Sequence, residues 1–257
     1  MYQNIFDTHA HYDDGRFDAD RDQLIACLPQ KGVVAVVNAA SDLATCHSGL
    51  ALTEKYPFFY CAVGVHPHEA QGFQPGDLET LAGLAGRPRV VAIGEIGLDY
   101  YWAENPPRPF QQEIFRRQLA LAQELDMPVI VHDREAHGDS LAIVKEFPGV
   151  RGVFHCYSGS AEMAQELVKL GWYLGFDGPI TYKNARRAAE VAAVTPLERM
   201  VVETDSPYLS PVPLRGKRND SRNLTYVLET LAAWKGVTPE EMARITLENG
   251  KRLYRLE

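Results

Sequence analysis

A chain of 257 residues with 46% hydrophobic and 23% charged residues has an ordinary globular composition and material for a sizeable core. Its formal net charge of −8 argues against broad duplex binding through a basic face, but leaves room for a small nucleic-acid substrate held by cations and a few local basic residues. No apolar run approaches the roughly 20 residues that cross a bilayer, and no charged-then-apolar leader precedes Asp7 and His9, so the expectation is a cytoplasmic protein without membrane contact.

The first apolar run, 2–6, reads as a strand and leads into Asp7-Thr8-His9-Ala10-His11. Residues two apart on a strand point to the same face, so His9 and His11 aim two imidazoles at one point. Two converging imidazoles make half of a transition-metal site. Further runs rich in Val, Ile, Phe and Tyr lie at 33–37, 58–63, 90–93, 128–131, 152–154, 172–176 and 200–202. They are short and not strictly alternating, as expected for strands buried on both faces.

Helical patterns lie between these runs. Ser41-Asp42 can cap a helix running to about Lys55. Phe110, Ile114, Leu121 and Leu125 fall on one helical face, and Pro128 follows as a terminator. Ser160 can cap a helix ending near Gly171. In the tail, Leu224, Val227, Leu228 and Leu231 form a stripe, and Thr238-Pro239-Glu240-Glu241 opens a last helix with an N-cap, a proline at N1 and a capping-box Glu.

Eight strands alternating with helices predict an α/β fold, a (β/α)8 TIM barrel, in a single domain over residues 1–257. A doubly wound sheet is the alternative that gives the same alternation. No repeat, low-complexity segment or flexible linker divides the chain, and Pro106-Pro107-Arg108-Pro109 reads as a rigid loop before a helix. Cys27, Cys46, Cys61 and Cys156 show no Cys-x-x-Cys spacing and read as free, buried thiols. Cys156, next to His155, reads as packing rather than as a nucleophile.

Chemistry gathers where the strands end. The first strand is followed by His9 and His11, the third by His66 and His68, the fourth by Glu95, the fifth by His132, the sixth by His155 and the eighth by Asp205. Barrel enzymes place their sites on that face. His9 and His11 would bind one divalent ion with Asp205, and His132 and His155 a second, with Glu95 as the natural bridging carboxylate. Paired ions can polarise a phosphoryl or carbonyl oxygen and generate hydroxide at neutral pH. His66 and His68, with Pro67 fixing the backbone between them, read as substrate-side candidates. His47 and His137 lie in helical patterns and read as surface residues.

These motifs resemble those of the TatD family of metal-dependent deoxyribonucleases, within the amidohydrolase superfamily. The resemblance covers the whole chain. It runs from Asp7-Thr8-His9-Ala10-His11 through Gly64-Val65-His66-Pro67-His68, Gly94-Glu95-Ile96-Gly97-Leu98-Asp99-Tyr100-Tyr101, Pro128-Val129-Ile130-Val131-His132 and His155-Cys156-Tyr157-Ser158-Gly159-Ser160. It continues through Glu203-Thr204-Asp205-Ser206-Pro207-Tyr208-Leu209 to Arg215-Gly216-Lys217-Arg218-Asn219. It implies a binuclear site on His9, His11, Glu95, His132, His155 and Asp205, and a 3′-5′ exonuclease acting on single-stranded DNA ends. Many binuclear amidohydrolases bridge their ions with a modified lysine at the fourth strand, and Glu95 there favours the nuclease-like branch. After Asn219 the family often has Glu-Pro, whereas this chain has Asp220-Ser221, which predicts a looser loop.

The mechanism this implies has a metal-bound hydroxide attacking the scissile phosphate in line. Asp205 takes or orients the water's proton, and Glu95 holds the ions. Arg108, Lys183, Lys217 and Arg218 are loop cations for flanking phosphates, and Tyr100, Tyr101 and Trp102 are candidates for stacking on a base. Nitrogen-rich ligands suit Zn²⁺, Mn²⁺, Ni²⁺ or Fe²⁺, while the resemblance implies Mg²⁺ as a common activator. The alternative is an amide or ester hydrolase that turns the same ions on a small molecule or aminoacyl ester. A metal-binding barrel without activity is a further alternative, against which the complete ligand set weighs. No obligate protein partner is expected.

Overall fold

A computed structural model describes residues 2–256. The elements run β1 (Ile5–Ala10), α1 (Arg21–Cys27), β2 (Val33–Ala39), α2 (Leu43–Lys55), β3 (Phe59–Val63), α3 (Asp77–Ala85), β4 (Val90–Asp99) and α4 (Arg108–Glu124). They continue with β5 (Val129–Arg134), α5 (His137–Lys145), β6 (Gly152–Phe154), α6 (Ala161–Lys169), β7 (Tyr173–Phe176), α7 (Arg186–Val194), β8 (Met200–Val202), α8 (Leu224–Lys235) and α9 (Pro239–Tyr254). Eight parallel strands alternating with helices give the (β/α)8 TIM-barrel class expected from the sequence. Among the described residues no helix is long and apolar enough to cross a membrane.

The chain packs as two compact units. One comprises the chain through Asn38 and from Cys156 onward. Its β1 is buried at every position and pairs with β2, while β7 pairs with β8. Helix α9 anchors the two strands that carry site residues. Gly250 lets it lie close to β1, since a Cβ there would meet the Phe6 ring at 2.5 Å. The Tyr254 hydroxyl donates to the Thr8 carbonyl at 2.9 Å, and Asn249 donates to the Met200 carbonyl at the start of β8 at 2.7 Å. Thr238 caps α9 by accepting from the Glu241 amide, and Ser160 caps α6 in the same way from Met163.

The other unit is Ala39–His155, in which β3, β4, β5 and β6 pair in order. Asp42 and Thr45 form a reciprocal capping box at the start of α2. Strand β4 runs to Asp99, six residues past the apolar run 90–93 that marks it in the sequence. The inner face of α4 also departs from the predicted stripe. Leu125 is exposed and Phe110 only half-buried, whereas Gln111 and Gln118 are buried beside Ile114, Phe115 and Leu119. The glutamines face inward because they satisfy strand-end backbone. Gln118 bonds both the amide and the carbonyl of Val65, at 2.8 and 2.9 Å, and Gln111 does the same for Asp99, at 2.9 Å each.

Candidate metal centre

In the first unit the period-two argument for β1 is realised. His9 Nε2 and His11 Nε2 lie 3.1 Å apart, and Asp205 Oδ1 is 3.4 Å from the first and 3.3 Å from the second. Backbone pairing holds these residues together, with the Asp205 amide donating to the His9 carbonyl at 3.0 Å and the His11 amide to the Ser206 carbonyl at 2.7 Å. Asp205 sits at φ +53°, in the left-handed region that non-glycine residues seldom occupy, a conformation that recurs at functional sites. Burial alone would raise its pKa, but hydrogen bonds from His11 and His9 outweigh that and hold the carboxyl well below the usual carboxylate range.

Buried acids support this triad from behind. Burial pushes Asp7 up to about 6 despite donors from Ser221 and Thr204. Glu203 is driven well above the ordinary carboxyl value by burial, and its Oε1 accepts the Cys156 amide at 2.5 Å. The Cys156 thiol is likewise raised by burial and by the charges of Asp177 and Asp205. A thiol raised in this way is a poor nucleophile. All four cysteines are thiols outside any disulfide, Cys46 and Cys61 being buried and Cys27 and Cys156 only partly so.

The expected looseness of the loop after Asn219 is overturned. Ser221 is fully buried, donates to Asp7 Oδ2 at 2.6 Å and lies 2.8 Å from the Tyr12 hydroxyl, while Asp220 forms a forked pair with Arg222. A serine hydroxyl here supplies a hydrogen bond to a buried carboxylate, which a proline could not.

In the second unit, Glu95 Oε1 is 2.8 Å from His132 Nδ1 and 2.7 Å from His155 Nε2, and the two nitrogens are 3.3 Å apart. His66 Nε2 stands 3.5 Å from the same carboxylate oxygen. Two donor sets thus meet the chemistry of a divalent-cation site, namely His9, His11 and Asp205 in one unit and Glu95 with His66 and His132 in the other. Imidazoles packed this closely around a buried carboxylate oxygen are what a cation would organise.

Burial works against a charged His132, yet hydrogen bonds to Asp99 and Glu95 raise its pKa to about 9. His66 moves the other way, to about 4, through burial and the charge of His132. Burial opposes the charged form of Asp99 too, but hydrogen bonds from His132 and His68 place it far below the usual range.

His66, a substrate-side candidate in the sequence, stands in a donor set with Glu95 and His132, and Asp99, to which the sequence assigns no role, stands beside it. The signal was present in the alternation Glu95-Ile96-Gly97-Leu98-Asp99, which extends the strand and puts both acids on one side. His68 is exposed and reaches Asp99 Oδ2 at 2.9 Å. His137, in α5, bonds Asp133 at 2.7 Å.

The substrate-side cations differ in their engagement. Arg218 makes a forked pair with Asp20 at 2.6 and 2.7 Å and covers the Phe17 ring. Arg108 stacks on Tyr100 at 4.3 Å, and Tyr100 donates to Asp139. Lys183 and Lys217 are exposed. Tyr101 and Trp102 are exposed and meet edge-on at 4.7 Å, with the Arg134 guanidinium 3.9 Å from the Tyr101 ring centre.

Residues 6–255 match the family described as TatD related DNase. The uncharacterized metal-dependent hydrolase YabD of Bacillus subtilis is 42% identical over 98% of this chain and 99% of its own length. The 3′-5′ ssDNA/RNA exonuclease TatD of Salmonella typhimurium is 32% identical over 97% of this chain and 98% of its own. The crystal structure of YjjV, a TatD homolog from Escherichia coli, superposes with a TM-score of 0.93 at 32% identity, covering 100% of both chains. A family match across almost the whole chain, and relatives of this similarity at full length, make this chain a member of the TatD-related DNase family of metal-dependent hydrolases.

Proposed function

We propose that the protein is a divalent-metal-dependent phosphodiester hydrolase with a binuclear centre, acting as a 3′-5′ exonuclease on single-stranded DNA. The observation that carries the reading is the convergence of Glu95 Oε1 on His132 Nδ1 and His155 Nε2 at 2.8 and 2.7 Å. The triad His9, His11 and Asp205 supports a second ion. Bound divalent ions would act as Lewis acids toward a phosphate oxygen and make water acidic enough to attack at neutral pH.

The chain's own residues supply the rest. His9, His11 and Asp205 would hold one cation and His132 and His155 the other, with Glu95 as the shared carboxylate. Asp205, held ionised by its two histidine neighbours, would accept or orient the proton of the attacking water. Lys183 and Lys217 are exposed and available to flanking phosphates; His68, exposed after β3, would contact substrate, while His66, buried 3.5 Å from Glu95 Oε1, would stand with the cation-holding residues. Tyr101 and Trp102 offer exposed ring faces to a terminal base. The whole chain would work as one domain, in the cytoplasm, without an obligate protein partner.

The test is cleavage of end-labelled single-stranded and duplex DNA by metal-stripped protein given Mg²⁺, Mn²⁺ or Zn²⁺ separately. Metal-dependent shortening from the 3′ end is expected, and it should vanish in Glu95→Ala. Protein that holds two ions yet cleaves no phosphodiester, while hydrolysing an ester or amide, would overturn the reading in favour of acyl chemistry.

A further inference from the structure

We infer that Asp99 is the positioning residue of the Glu95, His132 and His155 cluster, fixing the imidazole of His132 so that Nδ1 is turned to Glu95 and His155 and would be the nitrogen offered to a cation, while its own loop carries the exposed aromatic pair. The inference rests on the metal reading of His132. Asp99 is fully buried at the end of β4, where its carboxylate meets His132, His68, the Tyr101 amide and the Asn105 side chain. Its Oδ2 lies 3.1 Å from His132 Nε2 and 2.9 Å from His68 Nε2. Its Oδ1 accepts the Tyr101 amide at 2.9 Å and the Asn105 side-chain amide at 3.1 Å.

A carboxylate only accepts, so each imidazole must bring its Nε2–H to Oδ2. In the metal-free protein His132 donates Nε2–H to Asp99 and Nδ1–H to Glu95 Oε1; because Asp99 keeps the Nε2 proton, Nδ1, which also faces His155, is the nitrogen that would ligate a cation once its own proton is displaced. The hydrogen bond on one ring nitrogen thus decides what the other can do, and an anionic acceptor also makes Nδ1 a better donor to a cation. Backbone geometry enforces the arrangement. Asp99 is opposite Arg134 and Gly97 opposite His132 in the β4–β5 register, and Gln111 clamps both backbone groups of Asp99.

The second oxygen links this to the substrate side. By holding Tyr101 and Asn105, Asp99 sets the start of the 100–105 segment, on which Tyr101 and Trp102 are exposed. One carboxylate therefore orients a metal-binding imidazole, a neighbouring histidine that faces solvent, and the segment proposed to meet the terminal base.

Asp99→Asn separates this from a purely structural loop anchor. The amide keeps the size, but with its oxygen on the loop N–H groups it turns its NH2 toward the two imidazoles and can accept neither N–H there. Zn²⁺ affinity, measured by competition with a chromophoric chelator, should fall about tenfold or more for one of the two ions. Asn105→Ala, which loosens only the loop, should leave both affinities within about twofold. In zinc-loaded wild-type protein labelled with ¹⁵N-histidine, His132 should show a proton on Nε2 and none on Nδ1. That measurement decides the matter even if Asp99→Asn fails to fold. Unchanged zinc affinity in Asp99→Asn, or a His132 bound to zinc through Nε2, would overturn the inference. A chain that takes up no zinc at all would instead sink the underlying metal reading.

Discussion

Gly97 lies opposite His132 in the β4–β5 register, so close that a Cβ on Gly97 would stand 2.0 Å from the His132 carbonyl oxygen. Gly97 also adopts φ +141°, which a side chain disfavours. The strand carrying Glu95 and the strand carrying His132 thus reach their spacing because one residue has no side chain. Gly97→Ala should cost roughly 2–4 kcal/mol of stability. It should also weaken metal binding, because His132 must move. Urea unfolding and zinc titration check both, and a variant with wild-type values in each would show that the close approach is not needed.

Gln111→Leu tests the clamp beneath the same strand end. The wild-type amide satisfies the Asp99 amide and carbonyl and the Pro106 carbonyl, all from a buried position. Leucine fills similar volume but leaves these groups unpaired, so a loss of about 2 kcal/mol or more in urea unfolding is expected. A change under about 0.5 kcal/mol would mean that the backbone finds other partners.

Metal binding should release protons. Burial opposes a charged His132, but Asp99 and Glu95 raise its pKa to about 9, so the metal-free imidazole is protonated at neutral pH. A cation can take Nδ1 only by displacing that proton, and affinity should therefore rise with pH until about 9. His66, lowered to about 4, is already neutral and contributes no proton. Calorimetric titration in buffers of different ionisation enthalpy reads the release directly. Binding heats independent of the buffer would contradict the assignment.

The basic residues should divide by their existing partners. Lys217 is exposed, whereas Arg218 is committed to Asp20. Lys217→Ala should raise KM for single-stranded DNA and flatten its salt dependence, with stability unchanged. Arg218→Ala should instead lower stability, by no more than about 1–2 kcal/mol for this partly exposed pair. The reverse pattern would move the phosphate contact to Arg218.

The sequence disclosed the alternation of strands and helices because buried parallel strands read as apolar runs between capped helices. Asp42, Ser160 and Thr238 mark helix starts through local hydrogen bonds that need no tertiary context. The convergence of His9 and His11 was legible for a similar reason, since strand period alone places them together. Asp99 is hidden because the apolar run stops at Ile93, where Gly94 interrupts it, although the strand continues to Asp99. Gln111 and Gln118 were hidden because their burial depends on strand-end backbone far along the chain, which no helical periodicity encodes. The tight packing of Ser221 likewise depends on Asp7, at the other end of the sequence.

Stepwise titration shows whether two ions serve one phosphodiester hydrolase. Metal-stripped protein would receive Mn²⁺ in fractions of an equivalent while bound metal and cleavage of end-labelled single-stranded DNA are followed together. Little cleavage through the first equivalent and a rise through the second is the predicted result. Full activity at one equivalent, or two bound ions with no cleavage, would contradict it.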